Sequence, residues 1–205
     1  MKLYGSPTSP YVRKARVLMS EKKLRVEFVN EDPWPEDSKI PSRNPLGKVP
    51  ALEIEPDNYL FESVLVVHYL DHVDGKTLTP KDAAGYWQVQ WWQALGNGIL
   101  DAAVARVLES RRPEDKQMPE KIAREEARIH RATRVAESRF RGGDYLVGSR
   151  FTLADLVMGV AMQYVDFRYV HDWRDTCPKL ADWHAGITER KSFQETVPPG
   201  FHPPT

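Results

Sequence analysis

The sequence predicts an α/β domain followed by an all-α domain. Up to about residue 73, segments with strand and helix patterns alternate and are separated by prolines. Asp74–Pro80 is polar and contains Gly and Pro, as expected of a linker, and the segments beyond it have helical periodicity. The chain has 205 residues, enough for two small domains with buried cores. We therefore predict domains at residues 1–75 and 82–205.

The first domain is predicted to follow the order β-α-β, an irregular segment, and then β-β-α. Pro10 fits the first turn of a helix, and the apolar residues after it leave Arg13, Lys14 and Arg16 on the opposite, polar side. Asp57-Asn58 is a turn signal between two strand patterns, which indicates a hairpin. Strands are predicted at 2–4, 25–29, 49–54 and 59–61, and helices from 10 and 63. This order predicts a mixed four-stranded sheet with helices packed on it.

The second domain is predicted to contain helices at 82–111, 119–140, 152–169 and 178–189, the last of them short. Gly96 and Gly98 lie inside the first, where they predict a bend or the close approach of another helix. Thr152-Leu153-Ala154-Asp155 has the spacing of a capping box and opens the most apolar helix, so we interpret it as structural. We expect the Pro-rich tail, residues 198–205, to lie over the surface.

Composition limits the classes of partner. Lys plus Arg and Asp plus Glu both number 29, a formal net charge of zero, which disfavours nucleic acid and anionic membranes. Cys177 is the single cysteine, so the chain has no internal disulfide or thiolate cluster, and we expect an inert thiol and no metal site. The sequence lacks the apolar runs of a secretion signal or a membrane span, so we expect a cytoplasmic location.

A hydroxyl-rich turn, Ser6-Pro7-Thr8-Ser9-Pro10, separates the first predicted strand from the first helix. A hydroxyl there lies beside unpaired backbone N–H groups in the positive field of the helix. It could stabilise a bound thiol as the thiolate, the form that attacks electrophiles, or it could simply cap the helix. The two roles are compatible, and the residue types leave open whether Ser6, Thr8 or Ser9 would contact the sulfur.

Val49-Pro50 opens the third predicted strand. A proline there is usually at an edge or turn, and the specific alternative is a cis bond. A cis bond would leave the N–H and C=O groups of Val49 available to an extended, peptide-like ligand.

Glu62-Ser63 joins the fourth predicted strand to its helix. Ser63 has the residue type of an N-cap, and its N–H and hydroxyl could bind a carboxylate, while Glu62 could accept from an ammonium group. The pair suits the head group of an α-amino acid, although capping alone would also explain Ser63.

In this order and spacing, these features resemble the glutathione S-transferase family. The resemblance covers essentially the whole chain, and its specific part is Asn44–Pro50, followed after eleven residues by Glu62-Ser63. It implies a thioredoxin-like N-terminal domain, an all-helical C-terminal domain, and glutathione as co-substrate. The chain is most similar to bacterial, poorly characterised members of the family with an active-site serine.

The resemblance also implies roles for single residues. Ser9 falls where relatives keep the Ser or Cys that faces the glutathione sulfur, and Ser9-Pro10-Tyr11-Val12 looks like the Cys-Pro-Tyr-Cys of glutaredoxins without its sulfurs. Because position 9 is not cysteine, chemistry through an enzyme-bound mixed disulfide is not expected. Pro50 matches the family's cis-proline, and Val49 would hold the cysteinyl backbone of glutathione.

The two ends of glutathione are assigned in the same way. Glu62 and Ser63 match the γ-glutamyl site of the family. Lys48 sits where relatives often have Gln or Lys near the glycyl carboxylate, and Lys39 is a second candidate for that end.

By this resemblance, the protein is expected to activate the glutathione thiol and direct the thiolate at a small hydrophobic electrophile, as in detoxification. The pocket for the electrophile is expected to include Tyr11, helix residues from Asn97 to Asp101, Tyr164 and Phe167, although the aromatic residues could equally belong to the core. Asp101 could instead reach a partner subunit's glutathione, because family members are usually homodimers. The alternatives are a glutathione-dependent peroxidase or dehalogenase, and a non-enzymatic binding protein on the same fold.

Overall fold

A computed structural model describes residues 1–169 and 171–202. These residues form two compact units, one containing Met1–Leu78 together with Arg190–Phe201, and the other containing Thr79–Glu189. The domain boundaries at 1–75 and 82–205 stay a prediction. Residues 190–201, which we assigned to the second domain, belong to the first compact unit in the structure.

The first unit contains the predicted mixed four-stranded sheet. Its elements are β1 (Lys2–Gly5), α1 (Pro10–Glu21), β2 (Glu27–Asn30), α2 (Ile40–Arg43), β3 (Ala51–Glu55), β4 (Asn58–Phe61), α3 (Ser63–His72) and α8 (Lys191–Glu195). The strand order is β2-β1-β3-β4, with Leu3 opposite Phe28 in the parallel β1–β2 pair and opposite Leu52 in the antiparallel β1–β3 pair. β2 begins later than predicted because the N–H of Val26 bonds to Leu24 O in a turn.

Helix α1 has less solvent exposure than its sequence pattern predicts. Arg13 and Lys14, which we placed on a polar side, are only 2% and 1% exposed. Arg13 is buried because it contacts α8 and the residue after it. This five-residue helix, after residue 189, was not predicted from the sequence. Arg13 Nη2 donates to Phe193 O at 3.1 Å and Arg13 Nε donates to Thr196 Oγ1 at 3.4 Å. Burial lowers the pKa of Arg13 to about 9.

The second unit is helical, as predicted. It contains α4 (Ala83–Ser110), α5 (Pro119–Arg139), α6 (Leu153–Arg168) and α7 (Pro178–Thr188), with short 3-10 turns at Glu114–Lys116 and Arg174–Thr176. The residues of α6 from Leu153 to Val165 are all buried. A Cβ on Gly96 would lie 2.9 Å from Val157 Cγ1, so this glycine allows α4 to approach α6 closely. Gly98 has open space around it and no such role.

The capping box at the start of α6 is confirmed. Thr152 is the N-cap, its Oγ1 accepts from the N–H of Ala154 at 3.2 Å, and its own N–H donates to Asp155 Oδ2 at 2.8 Å. Within the tail that was predicted to lie over the surface, Phe201 is buried, being only 7% exposed. Residues 203–205 of that tail lie outside the described residues.

Candidate functional site

Helix α1 begins directly after Ser9. Ser9 is its N-cap, with extended backbone angles, and its Oγ accepts from the N–H of Val12 at 3.4 Å. Because Oγ uses a lone pair in this bond, its own proton remains available for an anion in front of the helix. The capping role of Ser9 is thus confirmed, and its role toward a thiol stays a prediction.

The other two hydroxyls of this turn lie close to each other. Ser6 Oγ and Thr8 Oγ1 are 3.1 Å apart and share a hydrogen bond. The turn is held by the N–H of Ser9, which donates to Ser6 O at 3.1 Å. Only one of the two hydroxyl protons is used in the Ser6–Thr8 bond, so the choice among Ser6, Thr8 and Ser9 for contact with a ligand stays open.

The segment that ends in Val49-Pro50 is held by Asn44. This side chain is 2% exposed, donates from Nδ2 to Lys48 O at 2.6 Å and accepts at Oδ1 from the N–H of Leu46 at 2.9 Å. The peptide bond between Val49 and Pro50 is cis, as the family resemblance implied. Our sequence reasoning missed the role of Asn44, although an Asn just before Pro is itself a turn signal.

Gly5, the last residue of β1, brings two of these features together. A Cβ at this position would collide with Val12 Cγ2 and would lie 3.3 Å from Val49 Cβ. The first turn of α1 and the segment before the cis-proline therefore approach each other across a residue with no side chain. The side chain of Val49 also packs against the buried cluster of Tyr4, Ile40 and Ala51.

The junction between β4 and α3 differs in one respect from the prediction. The N-cap of α3 is Glu62, with a φ of 71°, and Ser63 is the first helical residue. Glu62 Oε2 accepts from the N–H of Val64 at 3.0 Å, and Ser63 Oγ donates to Glu62 Oε1 at 3.3 Å. Ser63 was predicted as the cap from its residue type, but the longer carboxylate of Glu62 reaches the helix N–H group when the backbone adopts this positive φ.

Lys14 is a charged residue at this junction that the sequence analysis did not assign to the site. Its Nζ donates to Ser63 Oγ at 3.0 Å and lies 5.5 Å from the ring centroid of Tyr11. Through this bond, α1 contacts the N-terminal end of α3. Lys14 and Ser63 are 49 positions apart, so no local sequence signal predicts the contact.

The two lysines predicted for the glycyl end of glutathione are both exposed. Lys48 lies between Asn44 and the cis-proline, and Lys39 is the residue before α2. The N–H of Lys39 donates to Glu31 Oε1 at 3.0 Å, and Glu31 is in turn paired with Arg43 at 2.7 Å. Their contact with a carboxylate stays a prediction.

The residues predicted to contact the second substrate lie on three helices. Tyr11 is half-buried on α1, Asp101 is exposed on α4, and Tyr164 and Phe167 are on α6 with ring centroids 6.4 Å apart. Burial raises the pKa of Tyr164, against the opposing effect of nearby Arg168. These four assignments stay predictions.

The described residues also bear on two other classes of site. None of the helices in that part of the chain is long and apolar enough to cross a membrane. Within residues 1–169 and 171–202, no group of three or more His, Cys, Asp or Glu side chains could hold a metal ion.

Comparison with known proteins agrees with this fold. The model of the glutathione S-transferase N-terminal domain matches residues 3–77, and that of the C-terminal domain matches residues 119–186. An uncharacterised glutathione-transferase-like protein of Escherichia coli K12, YibF, is 34% identical over 97% of this chain and 99% of its own length.

Solved structures of similar proteins contain glutathione. A glutathione S-transferase of Methylobacillus flagellatus KT with glutathione bound is 38% identical, with a TM-score of 0.90, and the match covers 96% of this chain and 98% of that one. A glutathione transferase family member of Pseudomonas fluorescens Pf-5 with bound S-(propanoic acid)-glutathione is 33% identical, with a TM-score of 0.83 and coverages of 97% and 100%. The fold is thus a thioredoxin-like unit combined with a helical unit, of the class that binds glutathione. This chain belongs to the glutathione S-transferase family.

Proposed function

We propose that the protein is a glutathione transferase that joins the glutathione sulfur to a small apolar electrophile. The observation that carries this proposal is the arrangement around α1. Its N-cap is a serine whose proton can reach an anion, and Gly5 brings that turn close to Val49 and the cis peptide bond. Glutathione in the structures of similar proteins supports the same ligand here.

The chemistry requires an activated thiol. The Ser9 hydroxyl and the N-terminal N–H groups of α1 would stabilise the thiolate and lower the thiol pKa from about 8.5. The thiolate lone pair then forms the carbon–sulfur bond. A leaving group departs with its bonding electrons, or, for an activated alkene, the adjacent carbon takes a proton from water. The thioether bound by the Pseudomonas fluorescens relative is a compound of this kind.

The binding roles that we propose are those that the family resemblance implies. Val49 would pair with the cysteinyl backbone, as an extended ligand does at a strand edge. Glu62 and Ser63 would bind the γ-glutamyl end, and Lys48, with Lys39, the glycyl carboxylate. We further propose Tyr11, Asp101, Tyr164 and Phe167 as contacts of the electrophile, and a cytoplasmic homodimer with a role in detoxification.

The test is the ultraviolet band of the glutathione thiolate, measured from pH 5 to 9 with wild type, Ser9→Ala and Thr8→Ala. We expect bound glutathione to titrate well below the free thiol in wild type and Thr8→Ala, and higher in Ser9→Ala. The kcat/KM with an activated aryl halide should fall roughly tenfold to hundredfold in Ser9→Ala.

Other outcomes would overturn parts of the proposal. Binding without any change in the thiol pKa would contradict catalysis by thiol activation. If glutathione does not bind wild type at millimolar concentration, the non-enzymatic alternative is favoured. If Thr8→Ala raises the pKa of the bound thiol more than Ser9→Ala does, Thr8 rather than Ser9 is the activating residue.

A further inference from the structure

Two histidines lie next to each other on the exposed side of α3. His68 and His72 are four positions apart, a spacing that places both side chains on the same face of a helix. Both residues are exposed, and their ring centroids are 4.4 Å apart with the ring planes tilted by 48°. The pair lies in the second half of α3, whereas the proposed γ-glutamyl site lies at its start. Neither histidine has a role in the proposed function.

A hydrogen bond fixes the tautomer of His72. Its Nδ1 lies 2.8 Å from His68 O. A carbonyl oxygen can only accept a hydrogen bond, so Nδ1 must carry a proton in this contact. In the neutral form of the ring, the lone pair is then on Nε2, which becomes available to a ligand. This is the usual arrangement of a metal-binding histidine, because the bond to the backbone also holds the orientation of the ring.

The distance between the two rings suits a shared metal ion. Zn²⁺ binds imidazole nitrogen at about 2.0–2.1 Å, so two nitrogens on one tetrahedral ion are roughly 3.3 Å apart. With the ring centroids of His68 and His72 4.4 Å apart, small rotations about the side-chain bonds can direct one nitrogen of each ring at the same ion. The helix backbone supplies the spacing, so the site requires no rearrangement of α3.

The charges on α3 permit a cation at this pair. The helix contains no Lys or Arg, so no cationic side chain of α3 itself would repel the ion. Its one carboxylate, Asp71, is buried and accepts from Thr77 Oγ1 at 2.5 Å and from the N–H of Leu78 at 2.8 Å. Asp71 is therefore committed to the segment after α3, and the helix supplies two ligands rather than three.

We propose that His68 and His72 bind a divalent transition metal ion, with water in the remaining coordination positions. Imidazole ligands favour Cu²⁺ over Ni²⁺ and Zn²⁺, whereas Mg²⁺ and Ca²⁺ prefer oxygen ligands. With two protein ligands, the ion is exchangeable rather than permanently held. The site was not predicted from the sequence, where the expectation of no metal site rested on the single cysteine.

The test is a calorimetric titration of the untagged protein, without glutathione, with the chlorides of Cu²⁺, Zn²⁺ and Mg²⁺. We expect Cu²⁺ to bind with a micromolar Kd, Zn²⁺ to bind more weakly and Mg²⁺ not to bind. His68→Asn and His72→Asn should each raise the Kd for Cu²⁺ roughly tenfold or more, because even the loss of an outer-shell partner typically costs about 10–100-fold in metal affinity. No binding of Cu²⁺ to wild type, or equal binding by wild type and both variants, would overturn the proposal.

Electron paramagnetic resonance of bound Cu²⁺ counts the nitrogen ligands directly. Wild type should show two imidazole nitrogens, and each single variant at most one. Because both side chains are exposed, the variants should match wild type in urea unfolding, so that a change in the Kd reports loss of a ligand and not loss of the fold. One imidazole nitrogen in the wild-type spectrum would contradict binding by the pair.

A matched control is His130→Asn. His130 is also exposed and also belongs to a pair of neighbouring rings, with its centroid 3.9 Å from that of His171. These two histidines come from different elements, and their replacement should leave the Kd for Cu²⁺ at the wild-type value. If His130→Asn weakens the binding of Cu²⁺ and His68→Asn does not, the metal binds elsewhere and the assignment to α3 is wrong.

Discussion

At the level of single residues, Glu62 combines a structural and a binding role that one substitution can separate. Glu62→Gln retains a carbonyl oxygen that can accept from the N–H of Val64, but it removes the charge that would attract an ammonium group. We expect the unfolding free energy to change by no more than about 0.5 kcal/mol. The Kd for glutathione, measured by calorimetry, should rise roughly tenfold or more, because hydrogen bonds to charged groups contribute about 1.5–3 kcal/mol.

The control for this prediction is Glu62→Ala, which removes the cap as well as the charge. Its unfolding free energy should be lower than that of Glu62→Gln by about 1 kcal/mol. If Glu62→Gln binds glutathione as tightly as wild type, Glu62 is only a helix cap.

The residues of the candidate site were predictable where their signal is local. Ser9 before Pro10 indicates a helix start from neighbouring residues alone, and Val49-Pro50 was recognised through the spacing to Glu62-Ser63. The position of Lys14 was not predictable, because its contact with Ser63 joins residues 49 positions apart. The helix pattern around it instead placed this residue on a polar side.

At the level of secondary-structure elements, the start of α6 depends on one buried carboxylate. Asp155 accepts from the N–H of Leu146 at 2.7 Å, from the N–H and hydroxyl of Thr152 at 2.8 and 3.0 Å, and from Trp183 Nε1 at 3.1 Å. Burial raises the pKa of Asp155, and these four hydrogen bonds oppose that effect. One side chain thus connects α6 to α7 and to the segment before α6.

We therefore expect Asp155→Ala to lower the unfolding free energy far more than Thr152→Ala, which removes only the cap. It leaves four donors in the interior without their acceptor, and the unfolding free energy in urea should fall by about 3–5 kcal/mol. Thr152→Ala should cost about 1–2 kcal/mol. The exposed Asp182→Ala on α7 should change stability by no more than about 0.5 kcal/mol. A similar loss for Asp155→Ala and Thr152→Ala would mean that Asp155 acts only within the capping box.

Helix α8 shows why some elements escaped the sequence analysis. The long helices α4, α5 and α6 repeat their apolar spacing over several turns, and each was predicted close to its observed bounds. α8 has five residues, too few to show a period or to be stable in isolation. Its contacts with α1, among them those of Arg13 with Phe193 and Thr196, join residues distant in the sequence, and no pattern within 191–195 contains that information.

At the level of the whole molecule, residues 190–201 join the N-terminal segment in the first unit. Glu21, the last residue of α1, accepts from Arg190 at 2.7 and 2.9 Å and from the hydroxyl of Ser192. Burial alone would raise the pKa of Glu21, but these hydrogen bonds and the charge of Arg190 lower it below its ordinary value of 4.5. The folded protein therefore binds this proton less tightly than the unfolded chain does.

The sign of the pH dependence follows from that difference. The contribution of Glu21 to stability is fully present above its unfolded pKa of 4.5 and is lost as the pH falls through the lower pKa of the folded state. At pH 7 we expect Glu21→Gln to lower the unfolding free energy by about 1–3 kcal/mol, because a buried charge-assisted contact is broken. As the pH falls through the folded-state pKa of Glu21, the wild type and the variant should converge, since both then carry a neutral side chain at this position.

The difference in unfolding free energy can be measured by urea unfolding, followed by circular dichroism, from pH 3.5 to 7. The three proteins to compare are wild type, Glu21→Gln and, as a control at an exposed position, Glu36→Gln. Comparing variants at each pH cancels the titration of the other carboxyl groups. Glu36→Gln should follow the wild type at every pH. If the destabilisation of Glu21→Gln does not become smaller as the pH falls from 7 to 3.5, Glu21 contributes by packing rather than by its charge. In that case, the packing of residues 190–201 against α1 depends on the contacts of Arg13 with Phe193 and Thr196 rather than on the charge of Glu21.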